Sequence, residues 1–216
     1  MVTDSISARR SIEGVRRTGV AGMASAAVIA AAVLIAIVGP AVAPHDPTTS
    51  ALSNAWIGPL QIDGHLLGFD GSGRDLLSRL LAGARSSMLG PLIVVALSMT
   101  VGVTMATVAA WRGGLVDSFL SSASDILFSF PGILLAVLAT AVFGSGLPAA
   151  VMALAVAYTP YVARVLRGAA LRERSRPYIA ALEVQGASGW SICLRHLVPN
   201  LGPLIVAQAT TLFGYA

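Results

Sequence analysis

Four long stretches of this chain carry no charged side chain: residues 18–43, 86–111, 126–163 and 197–216. A helix needs about 20 apolar residues to cross a bilayer, so each run suffices for one crossing and the third for two. The composition agrees with a lipid solvent, since 56% of residues are hydrophobic, 11% are charged and the mean hydropathy is +0.79. Within hydrocarbon every backbone polar group needs an internal partner, which leaves helices or closed barrels. Barrel strands alternate polar and apolar residues over about ten positions, and these runs do not. An all-α polytopic membrane protein is therefore expected. The sequence Phe143-Gly144-Ser145-Gly146-Leu147-Pro148 reads as a tight turn dividing the third run, giving five expected spans.

The first run follows arginines and ends in Ala41-Val42-Ala43, which resembles a signal cleavage site, but its apolar core is about twice the usual length of a signal peptide. It is read as a span over 19–43, preceded by a polar tail at 1–18. All fourteen basic residues are arginine, and the formal charge is +4. In a chain this apolar the arginines set topology, so no nucleic-acid partner is expected. With the tail in the cytoplasm, Arg9, Arg10, Arg16, Arg17, Arg112 and the series from Arg164 to Arg195 fall inside, against Arg74, Arg79 and Arg85 outside. The lone cysteine, Cys193, excludes an internal disulfide and reads as a small buried or interfacial side chain.

Pro44-His45-Asp46-Pro47 ends the first helix. Residues 44–85 are expected to form an extracytoplasmic loop followed by an amphipathic helix lying at the membrane surface. In that helix Leu76, Leu77, Leu80 and Leu81 share one face, while Arg74, Asp75, Ser78, Arg79 and Arg85 lie elsewhere. Asp75 and Arg79 have the spacing of a helical ion pair, worth a few tenths of a kcal/mol. The transmembrane core, 86–216, turns at Trp111-Arg112-Gly113-Gly114. It carries Asp125 near the inner end of its next span, where a snorkelled or helix-paired acid and a proton relay are both readings. Pro160, between Tyr158 and Tyr161, is expected to loosen one helical bond. Asp125, Tyr158 and Tyr161 are the pathway candidates.

Residues 178–200, YIAALEVQGASGWSICLRHLVPN, interrupt this apolar pattern with polar side chains. Pro177 can start a helix, Gly186 suits a left-handed C-terminal cap, Ser188 is a good N-cap for a second helix, and Pro199 marks the next boundary. The product is two short helices meeting at a glycine elbow. An amphipathic loop resting on lipid headgroups through Trp190, Ile192 and Leu197 is the alternative.

The pattern Tyr178-Ile179-x-Ala181, Gly186-Ala187-Ser188 and Arg195-His196-Leu197-x-Pro199-Asn200 resembles the EAA loop of ATP-binding cassette importer permeases. More specifically, it is similar to the second permease subunit of the dipeptide, oligopeptide and nickel branch. That branch also shows a motif like His-Pro-Leu-Gly-Thr-Asp-x-x-Gly-Arg-Asp-x-x-Ser-Arg-x-x-x-Gly-x-Arg. Here HLLGFDGSGRDLLSRLLAGAR runs from His65 to Arg85 in the same spacing and supplies Asp70, Gly73, Arg74, Asp75, Ser78, Arg79 and Arg85. The resemblance covers roughly residues 20–216.

It implies a type I importer permease in a bacterial inner membrane, in which the loop at about 169–200 couples to a separate ATPase. By position Ala180 stands where the motif usually has glutamate, Ala181 matches its first alanine, Leu182 replaces the second and Gly186 matches the glycine. Glu183 is the nearest carboxylate in sequence. The implied partners are a homologous permease subunit, two ATP-binding subunits that use ATP and Mg, and an extracellular solute-binding protein. No cofactor is expected on this chain itself. The family normally has six spans, so a further C-terminal portion is expected beyond the fifth.

Catalysis by this chain is not expected. A phosphate-binding P-loop needs a lysine, and the sequence has none. His45, His65 and His196 are dispersed, so no metal cluster is read from them, and no Gly-x-Ser-x-Gly motif occurs. The competing function classes are an ion-coupled carrier or channel subunit without an ATPase, and a structural membrane scaffold.

Overall fold

The computed structural model describes residues 19–144 and 146–216, so the expected tail at 1–18 lies outside the described residues. Helices α1 (Val20–Val42), α2 (Leu76–Arg112), α3 (Gly114–Ser129), α4 (Gly132–Phe143) and α5 (Leu147–Arg174) are followed by the short α6 (Pro177–Val184) and α7 (Gly189–Ile192). A π-helical turn (Cys193–Leu197), α8 (Val198–Asn200) and α9 (Gly202–Tyr215) complete the described chain. Two compact units divide at Met88 and Leu89.

In the first unit, α1 carries Pro40 within its last turn and stops before Pro44. The loop that follows contains a 3₁₀ turn at Leu52–Asn54 and returns to α2. The amphipathic segment and the second apolar run, expected as a surface helix and a separate span, form one helix of 37 residues. That is about 56 Å, well beyond the ~30 Å of hydrocarbon it has to cross. Nothing in 82–91 stops it: the glycines there lie inside the helix, and Pro91 is accommodated within it.

Among the described residues three helices are long and apolar enough to cross a membrane: Gly22–Val42, Leu76–Arg112 and Leu147–Arg174. A fourth crossing is available if Gly189–Asn200 and Gly202–Tyr215, bent by 62°, act as one broken span. The third expected span is not a single helix. Phe130, the residue before Pro131, is extended at φ −87° and ψ 127°, and the chain breaks into α3 and α4 there. The cause is steric, because a proline disfavours the α conformation in its predecessor and supplies no N–H. α4 ends at Gly144 and α5 begins after Gly146, as the turn chemistry predicts.

In the second unit α3 and α4 both pack on α5. One cluster joins Met99 and Ala106 of α2, Val162 and Leu166 of α5 and Leu212 of α9. A second joins Ala110, Ala169, Ala170, Cys193, Leu197 and Leu201, with Trp111 against it. Buried alanines dominate α5, including Ala149, Ala153, Ala155, Ala163, Ala169 and Ala170. Lipid is as apolar as leucine, so helices associate there through close van der Waals approach, which small side chains permit. Ser98 adds a polar tie by donating to the Ala155 carbonyl at 3.0 Å, which also accepts from Thr159 at 2.7 Å.

Ala170→Leu is expected to overpack the second cluster and cost about 1–3 kcal/mol. A lowered thermal midpoint in detergent would register this, while Leu171→Ala, on the exposed face, should change it little.

Candidate functional site: the glycine elbow

Pro177 occupies the first turn of α6, and the helix ends in a glycine-capped turn. Gly186 has φ +81°; its N–H donates to the Glu183 carbonyl at 3.0 Å, and that of Ala187 donates to the Leu182 carbonyl at 3.0 Å. This is the Schellman arrangement, which satisfies the last carbonyls of a helix and requires a residue that tolerates positive φ. Ser188 then caps α7, its hydroxyl accepting from the Ser191 N–H. At the far side of the elbow the Val198 N–H reaches the Cys193 carbonyl, five residues back. Pro199 has no N–H to continue an α-helical register, so a π turn precedes it.

Underneath, the elbow is held by a carboxylate that sequence reasoning passed over. Glu173, in the last turn of α5, is only 7% exposed. Its Oε1 accepts from the Tyr178 hydroxyl at 2.8 Å and from Asn200 Nδ2 at 3.1 Å, and Arg176 Nε lies 3.0 Å from Oε2. Asn200 Nδ2 is also 2.8 Å from the Tyr178 oxygen. Burial, reinforced by the bond to Glu173, pushes the Tyr178 phenol above its ordinary value, so it remains a donor at neutral pH. One buried acid thus ties the end of α5, the start of α6 and the end of α8. The signal in the sequence was its position as the sole acid among Arg172, Arg174 and Arg176.

A second anchor reaches α2. Arg174 donates from Nη1 to the Ala110 carbonyl at 2.6 Å, and its guanidinium stands 5.1 Å from the Trp111 ring centre. Gly189 lies against the same indole, where a Cβ would come within 2.3 Å of Trp111 Nε1. Trp111 is therefore a half-buried seat for the elbow as well as the expected aromatic of the turn.

The outer surface of the elbow is open. Ala180, Ala181, Glu183, Gln185, Gly186 and Ser188 are exposed, Leu182 and Ala187 half-buried. Val184 is 89% and Trp190 68% exposed, two apolar side chains with no covering partner among the described residues. Glu183 forms no ion pair among the described residues, so the acid that works inside the elbow is Glu173. Of the framing residues, Asn200 joins the Glu173 network, His196 lies 6.4 Å from Tyr178 ring to ring, and Arg195 and Pro199 are exposed. Cys193 is buried beneath the elbow.

The pathway candidates separate into two pockets. Asp125 pairs with Arg164 and lines a pocket of about 410 Å³ with Arg167, which forms a two-pronged pair with Asp117. Tyr158 and Tyr161 line another of about 380 Å³ together with Tyr215, whose carbonyl accepts from Tyr158 at 3.0 Å.

In the first unit, the motif residues sort differently from expectation. Asp75 does not pair with Arg79. Its Oδ2 accepts the Ser78 N–H at 2.8 Å as the N-cap of α2, and its Oδ1 lies 2.8 Å from His65 Nδ1. The capping rotamer turns the carboxylate toward the loop, and Arg79 pairs instead with Asp70. Asp70 Oδ1 accepts the N–H of Ser72 at 2.8 Å and of Arg74 at 3.0 Å, across a turn that Gly73 closes at φ +71°. The Ser78 hydroxyl accepts the His45 N–H at 3.0 Å, and Arg85 is exposed. The histidines at 45 and 65, far apart in sequence, stack with ring centres 4.1 Å apart.

The fold is matched by the family model described as the binding-protein-dependent transport system inner membrane component, over residues 98–216, and the chain belongs to that family. It is similar to the glutathione transport system permease protein GsiD of Pectobacterium atrosepticum, 38% identical over 136 residues, 63% of this chain and 45% of that protein. Two further relatives are the dipeptide transport system permease protein DppC of Haemophilus influenzae, 33% identical over 178 residues, and the di/tripeptide permease protein DppC of Pseudomonas aeruginosa, 35% over 189. These cover 80% and 85% of this chain and 60% and 62% of those proteins. The chain therefore spans less than two thirds of the length of these relatives. Family and apolar helices together make it a multi-pass inner-membrane protein.

Glu173→Ala should leave the Tyr178 hydroxyl and Asn200 amide short of a partner and cost about 1–3 kcal/mol. Glu173→Gln keeps an acceptor and should recover most of it, because Arg176 is exposed and its ion pair screened. Faster proteolytic cleavage between residues 177 and 200 in the alanine variant alone would show it. The loop carries a pH dependence of its own. The Arg74 N–H, with Ser72 and Arg79, holds Asp70 below the ordinary carboxylate range; burial opposes the charge of Asp75, but bonds from Ser78 and His65 outweigh it. The folded loop thus binds fewer protons than the unfolded one, so its stabilisation is complete above the ordinary range and is lost as pH falls through it to the lowered values. Amide-exchange protection at Ser72, Arg74 and Ser78, corrected for intrinsic rates, should decline as pH falls through and below the ordinary carboxylate range.

Proposed function

We propose that this chain is a permease subunit of an ATP-binding cassette importer, with the elbow of residues 177–200 as its docking point for a separate ATPase. The observation that carries this reading is the pairing of an exposed surface with a braced base. Ala180, Ala181, Gly186, Val184 and Trp190 face outward, while Glu173, Arg174 and Trp111 fasten the same segment to α5 and α2. A push on such an element moves the helices behind it rather than bending the loop.

On this reading the N-terminus and the elbow are cytoplasmic, and the loop between α1 and α2 is extracytoplasmic, where a solute-binding protein delivers its cargo. A second, homologous permease completes the pathway, and two ATP-binding subunits hydrolyse ATP with Mg. The substrate class is a short peptide, for which the support is the named cargo of the relatives: glutathione, dipeptides, and di- and tripeptides. The ion-coupled alternative draws no support from Asp125, which is paired with Arg164 and exposed rather than held alone in an apolar site.

In proteoliposomes containing the chain with its partner subunits and binding protein, uptake of a radiolabelled dipeptide should require ATP and should persist when proton and sodium gradients are collapsed. Gly186→Val has open space for its side chain but needs positive φ, which a β-branched residue resists. Membrane insertion and ATP hydrolysis should remain while ATP-driven uptake falls to background. Uptake at the wild-type rate in that variant would overturn the coupling role, and gradient-driven uptake without ATPase subunits would overturn the importer.

A further inference from the structure

The segment after α1 and the first turn of α2 bring His45, His65 and Asp75 together, although the sequence scatters them. One ligating atom from each lies within 4.8 Å of the others. Asp75 Oδ1 is 2.8 Å from His65 Nδ1, and Oδ2 is 3.9 Å from His45 Nδ1. Helix capping explains the Asp75 bond to Ser78, and a simple hydrogen bond explains His65. Neither explains His45, whose Nδ1 is shielded from solvent, turned toward the same carboxylate and lacks a hydrogen-bond partner.

One dication placed between the two rings, whose centres are 4.1 Å apart, would meet two imidazole nitrogens and a carboxylate. The donor set fits that role. Around tetrahedral zinc, with bonds of about 2.0–2.2 Å, ligand atoms stand about 3.3–3.6 Å apart. The 2.8 Å and 3.9 Å distances, measured to the two oxygens of one carboxylate, bracket that range, and the three ligating atoms lie within 4.8 Å of one another. The Ser78 N–H already orients the carboxylate from behind, as supporting groups at metal sites do. A pocket of about 350 Å³ bordered by Asp46, Thr49 and Asn54 opens beside all three residues and leaves room for water as a fourth ligand.

We propose that His45, His65 and Asp75 form a three-ligand site for a first-row divalent cation of the zinc class, completed by water, which clamps the chain leaving α1 to the start of α2. Two imidazoles with one carboxylate favour zinc-like ions over magnesium or calcium, which take all-oxygen sites. The clamp is structural and independent of what the protein carries across the membrane.

The test uses the full chain, purified in detergent with a histidine-free tag, stripped with a chelator and titrated with Zn²⁺ against a chromophoric competitor. One equivalent should bind with a dissociation constant of about 1 μM or tighter, Zn²⁺ should raise the thermal midpoint, and Co²⁺ should give the visible bands of a four-coordinate site. His45→Ala removes a ligand whose side chain makes no hydrogen bond, and Asp75→Asn keeps an N-cap. Each should weaken binding at least ~10-fold and abolish the thermal shift, with His196→Ala unchanged. Absence of stoichiometric binding to the wild-type chain, or undiminished affinity in both ligand variants, overturns the proposal.

Discussion

The second unit depends on how closely helices can approach when the surrounding solvent is as apolar as they are. Removing leucine from lipid gains little, so α2 and α5 are joined by backbones brought near each other across alanines, with Ser98 bonded to the Ala155 carbonyl. Where α5 presents larger side chains, Val162 and Leu166 are fully buried against Met99 and Ala106, and Gly102 leaves the room that Val162 needs. The geometry of this contact therefore fixes the positions of Ala110 and Ala170, and through them the base on which the elbow stands. Lipid also demands that backbone groups stay paired, and at Phe130–Pro131, at Gly144 and at Gly186 the chain leaves helix where a proline or glycine supplies a defined alternative.

The elbow shows how a water-facing segment can be made stiff without a large core. Backbone chemistry sets its shape through Pro177, the Gly186 cap and the Ser188 cap. Side chains then lock that shape to the helices behind it. Glu173 is buried, yet its two oxygens meet a phenol, an amide and a guanidinium, so the desolvation of the charge is matched by bonds from three directions. Arg174, one residue on, points to the other side and grips α2 through the Ala110 carbonyl and Trp111.

The features legible in the sequence were those decided within a few residues. Helix starts at prolines, the left-handed stop at Gly186 and the Ser188 cap need no knowledge of the rest of the chain. Apolar runs announced a helical membrane protein for the same reason, but they measure solvent rather than backbone. Residues 126–163 carry no charge and still break at Pro131, and the amphipathic 76–87 segment continues into a span because no residue there ends a helix. What sequence reasoning missed was decided by partners distant in sequence. The Asp75–Arg79 spacing was right for an ion pair, but the capping bond and His65 claimed the carboxylate first. Glu173 acquires its role only when Tyr178 and Asn200 arrive beside it, and His45 and His65 become neighbours only when the loop folds back on α2.

If the elbow is the docking point proposed above, the redundancy of its anchors matches what such an element has to bear. Driving a two-state pathway from 1:99 to 99:1 takes about 5.5 kcal/mol of differential binding, delivered on the proposed reading through residues 177–200. A single hydrogen bond contributes about 1 kcal/mol net and would give way before the helices behind it moved. The Glu173 network, the Arg174 contact with α2, the seat of Gly189 on Trp111 and the packing of Cys193 and Leu197 act in parallel on one short segment. Together they share a load that no one of them would carry alone. A glycine at the apex does not soften such a lever, since Gly186 is fixed by two cap bonds; it supplies a conformation that other residues resist, and the stiffness comes from beneath.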